Sequence, residues 1–504
     1  VPDKRVLDLS ALTGANLAGG DVIRAVDISD TTMSAGGTDK RMTVTEFLAG
    51  LLGWYNVKHY GAVGNGSNDD RSAIQSALTA ANSAGGGTVY CPPGTYRVTV
   101  AVHPDSANFF AGLLIGDNVC LVGAGRTSTT IKLANTQTGG SAAGDSAVIM
   151  NLAITAGNSR IRVSDLTVDG NNVNQSTAVH QGIDWRHVTD AIVERVTVTN
   201  CQGTSTSTYL ETGQFYSANC GNLIYRDCWA VGSAGNTASG FHQNGCTNLV
   251  LTNCRASGMS VANGFTQFGC YHTVYTGCYS YKNTVEGFNC ESSVDVSYVG
   301  CVAGGDATTD SKGFTASQNL GNTVDGFAVT TSTVNASFVG CQSRHNGNIG
   351  FNFSGSDAVA SGCEAVANVY GFAFQSSARS RISACMAKSN TNGVYIDNAT
   401  TLGLTRIQNM LFLSNTNDFN IPAGSVTGGP GPASVQPAVP ASTTALATPY
   451  PVDATVHVAG GTVTVVSVGG TATGLVTPCT VRVCAGSTIT LTYTVAPTWK
   501  WFID

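Results

Sequence analysis

Apolar and polar positions alternate in a short phrase that recurs along residues 200–400. The segments NLIYRDCWA, NLVLTNCRA, HTVYTGCYS, DVSYVGCVA, NASFVGCQS, DAVASGCEA and RISACMA align on a cysteine. Mostly apolar residues stand three and five positions before it, and Ala or Ser stands two after. Cys201, Cys228, Cys254, Cys278, Cys301, Cys341, Cys363 and Cys385 follow at intervals of 27, 26, 24, 23, 40, 22 and 22 residues. Several repeats add Asn five positions later (Asn283, Asn346, Asn368, Asn390) and then Gly-Phe, at Gly240-Phe241, Gly264-Phe265, Gly287-Phe288, Gly326-Phe327, Gly350-Phe351 and Gly371-Phe372. Period-two alternation predicts strands, about three per repeat, separated by Gly or Asn turns. A repeat this short cannot bury its apolar face alone, whereas stacking at the ~4.8 Å strand spacing buries it against its neighbours. The pattern therefore predicts an all-β solenoid, a parallel β-helix with Phe, Cys and Val ladders inside.

The same phase assigns the cysteines. A second ladder, Cys220, Cys246 and Cys270, precedes the first by eight residues each time. Buried thiols behave as small hydrophobes, so reduced core ladders are expected, with no metal because no CxxC pair occurs and His is out of phase. Cys479 and Cys484 lie outside the repeat and could pair across a hairpin.

Five regions follow. Residues 1–50 form a small separate unit, and residues 51–100 open the solenoid with a helix carrying Ile74, Ala77, Leu78 and Ala81 on one face, capped at Asn68-Asp69-Asp70 and ended by Gly85-Gly86-Gly87. Residues 101–420 make the β-helix, 421–450 a Pro/Gly/Ser linker, and 451–504 a small all-β module.

Composition narrows the function. The chain has 60 Gly among 504 residues without a Gly-X-Y period, and 42% hydrophobic residues exclude disorder. A net charge of −6 argues against nucleic acid as partner. No apolar run reaches the ~18–20 residues of a membrane helix, so membrane insertion is not expected.

His59-Tyr60-Gly61-Ala62-Val63-Gly64-Asn65-Gly66, Asp69-Asp70, Ala73-Ile74-Gln75 and Pro92-Pro93-Gly94-Thr95-Tyr96 resemble the entrance motif of the pectate-lyase-like superfamily, which implies a right-handed β-helix but names no reaction. Residues 1–50, ending in Thr43-Val44-Thr45-Glu46-Phe47-Leu48, resemble the particle-docking modules of bacteriophage tail proteins, and residues 451–504 resemble a β-sandwich-like module that ends many of them. Together they are similar to a phage tailspike. The resemblance implies a homotrimer in the virion tail, made in the host cytoplasm, docked to a tail or adaptor protein through residues 1–50, and binding or cleaving a bacterial capsule or O-antigen without a cofactor. A non-enzymatic receptor-binding fibre and a cellular β-helix enzyme or adhesin are the alternatives.

Cleaving a glycosidic bond needs two carboxylates, ~5–5.5 Å apart for retention or ~6.5–9.5 Å for inversion. The residue before each Gly-Phe runs Ser239, Asn263, Glu286, Asp325, Ile349, Tyr370. Glu286 and Asp325 are consecutive there if the rung after Cys301 closes at Phe327, leaving 306–324 as a loop with Asp306, Asp310 and Lys312. If Phe314 closes it, Lys312 replaces Asp325. Glu291 lies on the same rung as Glu286. The candidate catalytic set is thus Glu286, Asp325 and Glu291, with solvated turn carboxylates as the ordinary alternative. One residue after each cysteine, Trp229, Arg255 and Tyr279 would form an exposed stack suited to a sugar ring, or equally to a neighbouring subunit. Glu211 could reach a groove from its loop. Asp295 and Asp357 sit with Asn222, Asn248 and Asn335 in a turn column, and His180, His187 and His242 form no triad or metal spacing. No metal is expected, although Asp306, Asp310 and Asp325 come nearest to a calcium set.

Overall fold

Each repeat becomes one rung of a parallel β-helix. The computed structural model describes residues 22–27, 38–44, 47, 53–137, 146–175, 180–202, 212–233, 238–305, 321–330, 332–377, 379–397, 406–420, 437–449 and 453–503. The chain divides into Val1–Thr197 and Val198–Asp504.

In the second unit, the rung after Cys246 shows the plan. Thr247–Thr252 lies in a first parallel sheet, Arg255–Ser257 in a second and Phe265–Phe268 in a third. The next rung repeats it in register, Leu251 opposite Tyr275, Ala256 opposite Ser280 and Phe265 opposite Phe288. The corner between third and first sheets is taken by Asn222, Asn248, His272, Asp295, Asn335 and Asp357, all left-handed with φ of 55–59°. Asn and Asp tolerate that conformation better than other non-glycine residues, which bears out the turn column.

Inside, identical residues stack because identical positions superpose. Phe241, Phe265, Phe288, Phe327 and Phe351 lie face to face at centroid separations of 4.7–4.9 Å. The expected cysteine ladders are present as free thiols, and Cys254 donates to the Tyr225 carbonyl of the previous rung at 3.4 Å. Burial pushes the Cys290 thiol up to about 12, so it stays protonated. Cys479 and Cys484 are also free, without the disulfide their spacing allowed.

An asparagine ladder fastens the corner between second and third sheets. Asn283 Nδ2 donates to Asn322 Oδ1, Asn322 to Asn346, Asn346 to Asn368, Asn368 to Asn390 and Asn390 to Asn415, at 2.9–3.3 Å. Asn322 holds this place directly after the long insertion, so the rung resumes there. Phe327 then pairs with Phe288 and stacks on it at 4.7 Å.

The first unit has the same three-strand rungs with less regular interiors, for example Val89 opposite Leu121 and Val163 opposite Val193. Helix Arg71–Ser83 buries Ile74, Ala77, Leu78 and Ala81, as its pattern predicts. Its Gln75 side chain bonds the Leu114 backbone in both directions, at 3.1 and 2.8 Å. Asp70 occupies the N-cap position but makes no side-chain cap; its carboxylate instead accepts the Val63 and Gly64 N–H groups of the Gly-rich turn. Of residues 1–50, the description covers chiefly an antiparallel pair, Val22–Asp27 with Thr38–Thr43. Near the C-terminus, antiparallel sheets of four and three strands make up the all-β module, which begins earlier than expected because Ala445–Ala447, within the stretch read as linker, pairs with Thr488–Val495. Trp499 Nε1 donates to Pro437 O at 2.7 Å and Tyr493 Oη to Pro440 O at 2.7 Å, fixing the end of the linker to it.

Candidate functional site

The column that precedes Gly-Phe is where the rungs bring carboxylates together. Gly264 N–H donates to Glu286 O, Gly287 N–H to Asp325 O and Gly326 N–H to Ile349 O, at 2.8–3.0 Å, so Asn263, Glu286, Asp325 and Ile349 occupy successive rungs. Closure at Phe327 fulfils the condition for placing Glu286 beside Asp325. Lys312 and Phe314, the alternative, lie outside the described residues, as do Asp306, Asp310 and Glu211.

Glu286 is half-buried, and its backbone N–H donates to Asn263 Oδ1 at 3.0 Å. Burial, then the charge of Asp325 and more weakly that of Glu291, push its carboxyl up to about 7. Asp325 is 4% exposed. Its Oδ1 accepts Asn348 Nδ2 and the Ile349 N–H, and its Oδ2 accepts Asn352 Nδ2, all at 3.0 Å. Burial raises its pKa while these three donors pull the other way. Glu291 accepts Asn289 Nδ2 at 2.8 Å. The result is a proton-holding carboxyl, an amide-held carboxylate on the next rung and a third acid on its own rung. That set can exchange a proton near neutral pH.

A second column continues the face. The residues after each rung phenylalanine, Tyr216, His242, Thr266, Asn289, Ala328 and Asn352, pair in sequence along the third sheet. The His242 ring meets Tyr216 edge-on at 5.3 Å, and burial pushes it down to about 4, so it is neutral. Its Nδ1 is buried without a hydrogen-bond partner. Linear histidine spacing gave no sign of this pair; the signal was available in the position following each Phe.

The other candidates fare differently. Trp229, Arg255 and Tyr279 do align on successive rungs of the second sheet, with the Arg255 guanidinium 5.1 Å from the Trp229 ring centre. Trp229 is 37% exposed, but Tyr279 is only 4% exposed and packs on Tyr281 at 5.1 Å. The expected open three-residue stack is therefore an open Trp–Arg pair beside a covered Tyr. Asp357 is bound to Arg379 at 2.6 Å and Asp295 faces His272 at 3.3 Å. His180 contacts Ser146, and His187 Nδ1 bonds Ile154 O at 2.8 Å. Among the described residues no cluster of His, Cys, Asp and Glu could hold a metal ion, and no helix is long and apolar enough to cross a membrane.

The sequence pattern of a family described as "Rhamnogalacturonase A/epimerase, pectate lyase-like" matches residues 54–289. Mannuronan C5-epimerase AlgE6 of Azotobacter vinelandii is 46% identical over 120 residues, 24% of this chain and 13% of that protein. Alginate lyase 7 of the same organism is 43% identical over 123 residues, 24% of this chain and again 13% of the relative. These aligned stretches span only a small part of the relatives' own length. The solved A-module of the Azotobacter vinelandii mannuronan C-5 epimerase AlgE4 superposes with a TM-score of 0.53 at 22% identity, covering 73% of this chain and 97% of that one. The fold is thus the pectate-lyase-like parallel β-helix.

Proposed function

We propose that the protein recognises and cleaves a bacterial surface polysaccharide by acid-assisted hydrolysis, as the spike of a bacteriophage tail. The observation that carries the reaction is the Glu286 carboxyl, raised to about 7 beside Asp325 and Glu291. Protonated Glu286 donates to the glycosidic oxygen as the bond to the anomeric carbon breaks. Asp325, one rung away, faces the positive charge that develops there, and the ~4.8 Å rung spacing suits the shorter carboxylate separation of retaining hydrolysis. Glu291 is the further carboxylate available to a water. Trp229 and Arg255 offer a flat contact for a sugar ring away from the bond that breaks. The particle-docking role of residues 1–50 and the homotrimer rest on the tailspike resemblance.

A second reading, proton abstraction at a uronic acid as in a lyase or epimerase, is favoured by the names of the relatives and by Tyr216 lying against His242. One experiment separates them. Capsular or O-antigen polysaccharide is incubated with the purified chain and sized by gel filtration, with ultraviolet absorbance read for unsaturated ends. Shortening without absorbance, lost in Glu286→Gln, supports hydrolysis. Absorbing products make it a lyase, intact polymer with inverted residues by proton NMR makes it an epimerase, and intact, chemically unchanged but bound polymer makes it a receptor-binding fibre.

A further inference from the structure

The outward face of the first sheet carries an uncharged strip of exposed side chains. In the strands Thr247–Thr252, Tyr271–Thr276, Val294–Val299, Val334–Val339 and Val359–Ser361, residues alternate between the core and the outside. Two outward columns run in register from rung to rung: Val250, Val274, Ser297, Ser337 and Val359, and beside them Thr252, Thr276, Val299, Val339 and Ser361. Five of these ten are valines 36–47% exposed, and none of the ten is charged.

Charge returns where the strip stops. Arg226 stands one rung before Thr252, and Arg381 and Arg406 stand one and two rungs beyond Val359. One long edge is polar: it holds the left-handed corner Asn248, His272, Asp295, Asn335 and Asp357, with His272 facing Asp295 and Arg379 paired with Asp357. The other long edge is bare. Gly277, Gly300, Gly340 and Gly362 form that corner on four of the five rungs, and a Cβ added at Gly300, Gly340 or Gly362 would meet nothing within 4 Å. Asp227, Asn253, Ala384 and Asn409 hold the same corner elsewhere with φ of 51–53°, so the backbone there tolerates a side chain. Its absence coincides with the exposed valines and leaves the sheet face flat and open to a close neighbour.

A sugar chain is held by directed polar groups and aromatic rings, and between its edges the strip has no acid, amide or ring. A second copy of the chain instead brings an identical uncharged strip. Five rungs at ~4.8 Å by six residues at ~3.3 Å give a footprint on the order of 400 Å². A stable interface takes about 800 Å² from each partner, so the strip supplies the apolar centre and the polar corner beside it the rim. We propose that copies of this chain pack against one another through the first-sheet face of residues 247–361. This gives a surface to the homotrimer of the proposed function; it rests on that reading only for the number of copies and is independent of the reaction at Glu286.

The test uses the full chain. Mass is followed by light scattering across concentration for the parent and for a Val299→Lys, Val339→Lys double variant, and each is also given capsular or O-antigen polysaccharide to shorten. A photo-crosslinking residue placed at Ser297 reads the contact without adding charge, with Lys388 on the second sheet as the control position. The parent is expected as an oligomer of the 51.7 kDa chain. The double variant is expected to dissociate at concentrations at least about tenfold higher, and Ser297, unlike Lys388, to cross-link to the strip of another copy. That cross-link supports the contact even where other segments keep the double variant together. A monomeric parent overturns the inference, and so does an oligomer in which Ser297 reaches no strip residue of another copy or reaches added polysaccharide instead. Polymer shortened by a monomeric protein leaves the Glu286 reading in place, whereas an oligomer that cross-links as expected but shortens no polymer counts against the reaction alone.

Discussion

Two sets of carboxylates, one in each unit, are held in opposite ways. In the first, Asp184 is fully buried and bonds the Arg186 guanidinium at 3.0 Å, Glu194 is 3% exposed and contacts Arg162 and Arg195, and Asp165 takes two bonds from Arg195 at 2.6 and 2.7 Å. The Arg195 guanidinium holds Asp165 below the usual carboxylate range. In the second, Asp325 is as deeply buried as Glu194, yet its partners are two asparagine amides and one backbone N–H, and it and Glu286 are both raised. Glu194 and Asp325 are buried alike and differ in the counter-charge. An arginine-held acid is a structural ion pair, whereas Glu286, partly buried beside a second acid and without a cation, keeps a proton to give.

The comparison can be broken from either side. The largest effect is expected from Glu286→Gln, which keeps the shape but not the proton; turnover should fall by ~10²–10⁴-fold, the usual contribution of a general acid, with polymer binding intact by anisotropy. Removing the counter-charge in the first unit comes next. Arg186→Met takes the guanidinium away from the buried Asp184 carboxylate and also forfeits the stacking of Arg186 on Phe109 at 4.3 Å, and denaturant unfolding at neutral pH should show a loss of about 3 kcal/mol.

The third effect is a pH dependence. Because Glu286 is raised from 4.5 to about 7 in the folded chain, folding favours its protonated form. That stabilisation is complete below about pH 4.5 and is lost as pH rises through about 7, on the order of 2–3 kcal/mol. Unfolding curves of Glu286→Gln should lack this component, so the variant gains on the parent protein as pH rises. The same ionisation predicts turnover that declines above about pH 7.

A smaller change sharpens the contrast by importing an arginine. Asn289→Arg places a cation between Glu286 and Glu291, and the alkaline limb of the pH–rate profile should move down by about one unit. Arg195→Ala should do least. Its guanidinium is 43% exposed in the pair with Asp165, so thermal unfolding should register no more than about 1 kcal/mol.

Much of this site was readable in the Gly-Phe period. Aligning on those dipeptides placed Glu286 before Asp325, and the structure supplies the missing condition, closure at Phe327. The asparagine ladder was half visible: Asn283, Asn346, Asn368 and Asn390 keep a constant distance from their cysteines, whereas Asn322 follows the insertion and Asn415 has no cysteine to count from. Tyr279 was misjudged because alternation gives the side of a strand a residue faces, not what covers that side. His242 escaped because its partner, Tyr216, is 26 residues away and adjacent only through rung stacking.

The sequence by itself determined the solenoid, its ladders, its left-handed corners and the order of residues in each outward column. These are consequences of a short repeat, in which identical positions must superpose at the strand spacing. Only the tertiary structure decided which acids keep a counter-charge and how deeply each is enclosed. Those depend on side chains from rungs more than 20 residues apart and on how far water is kept out, and ionisation responds to that environment rather than to order along the chain.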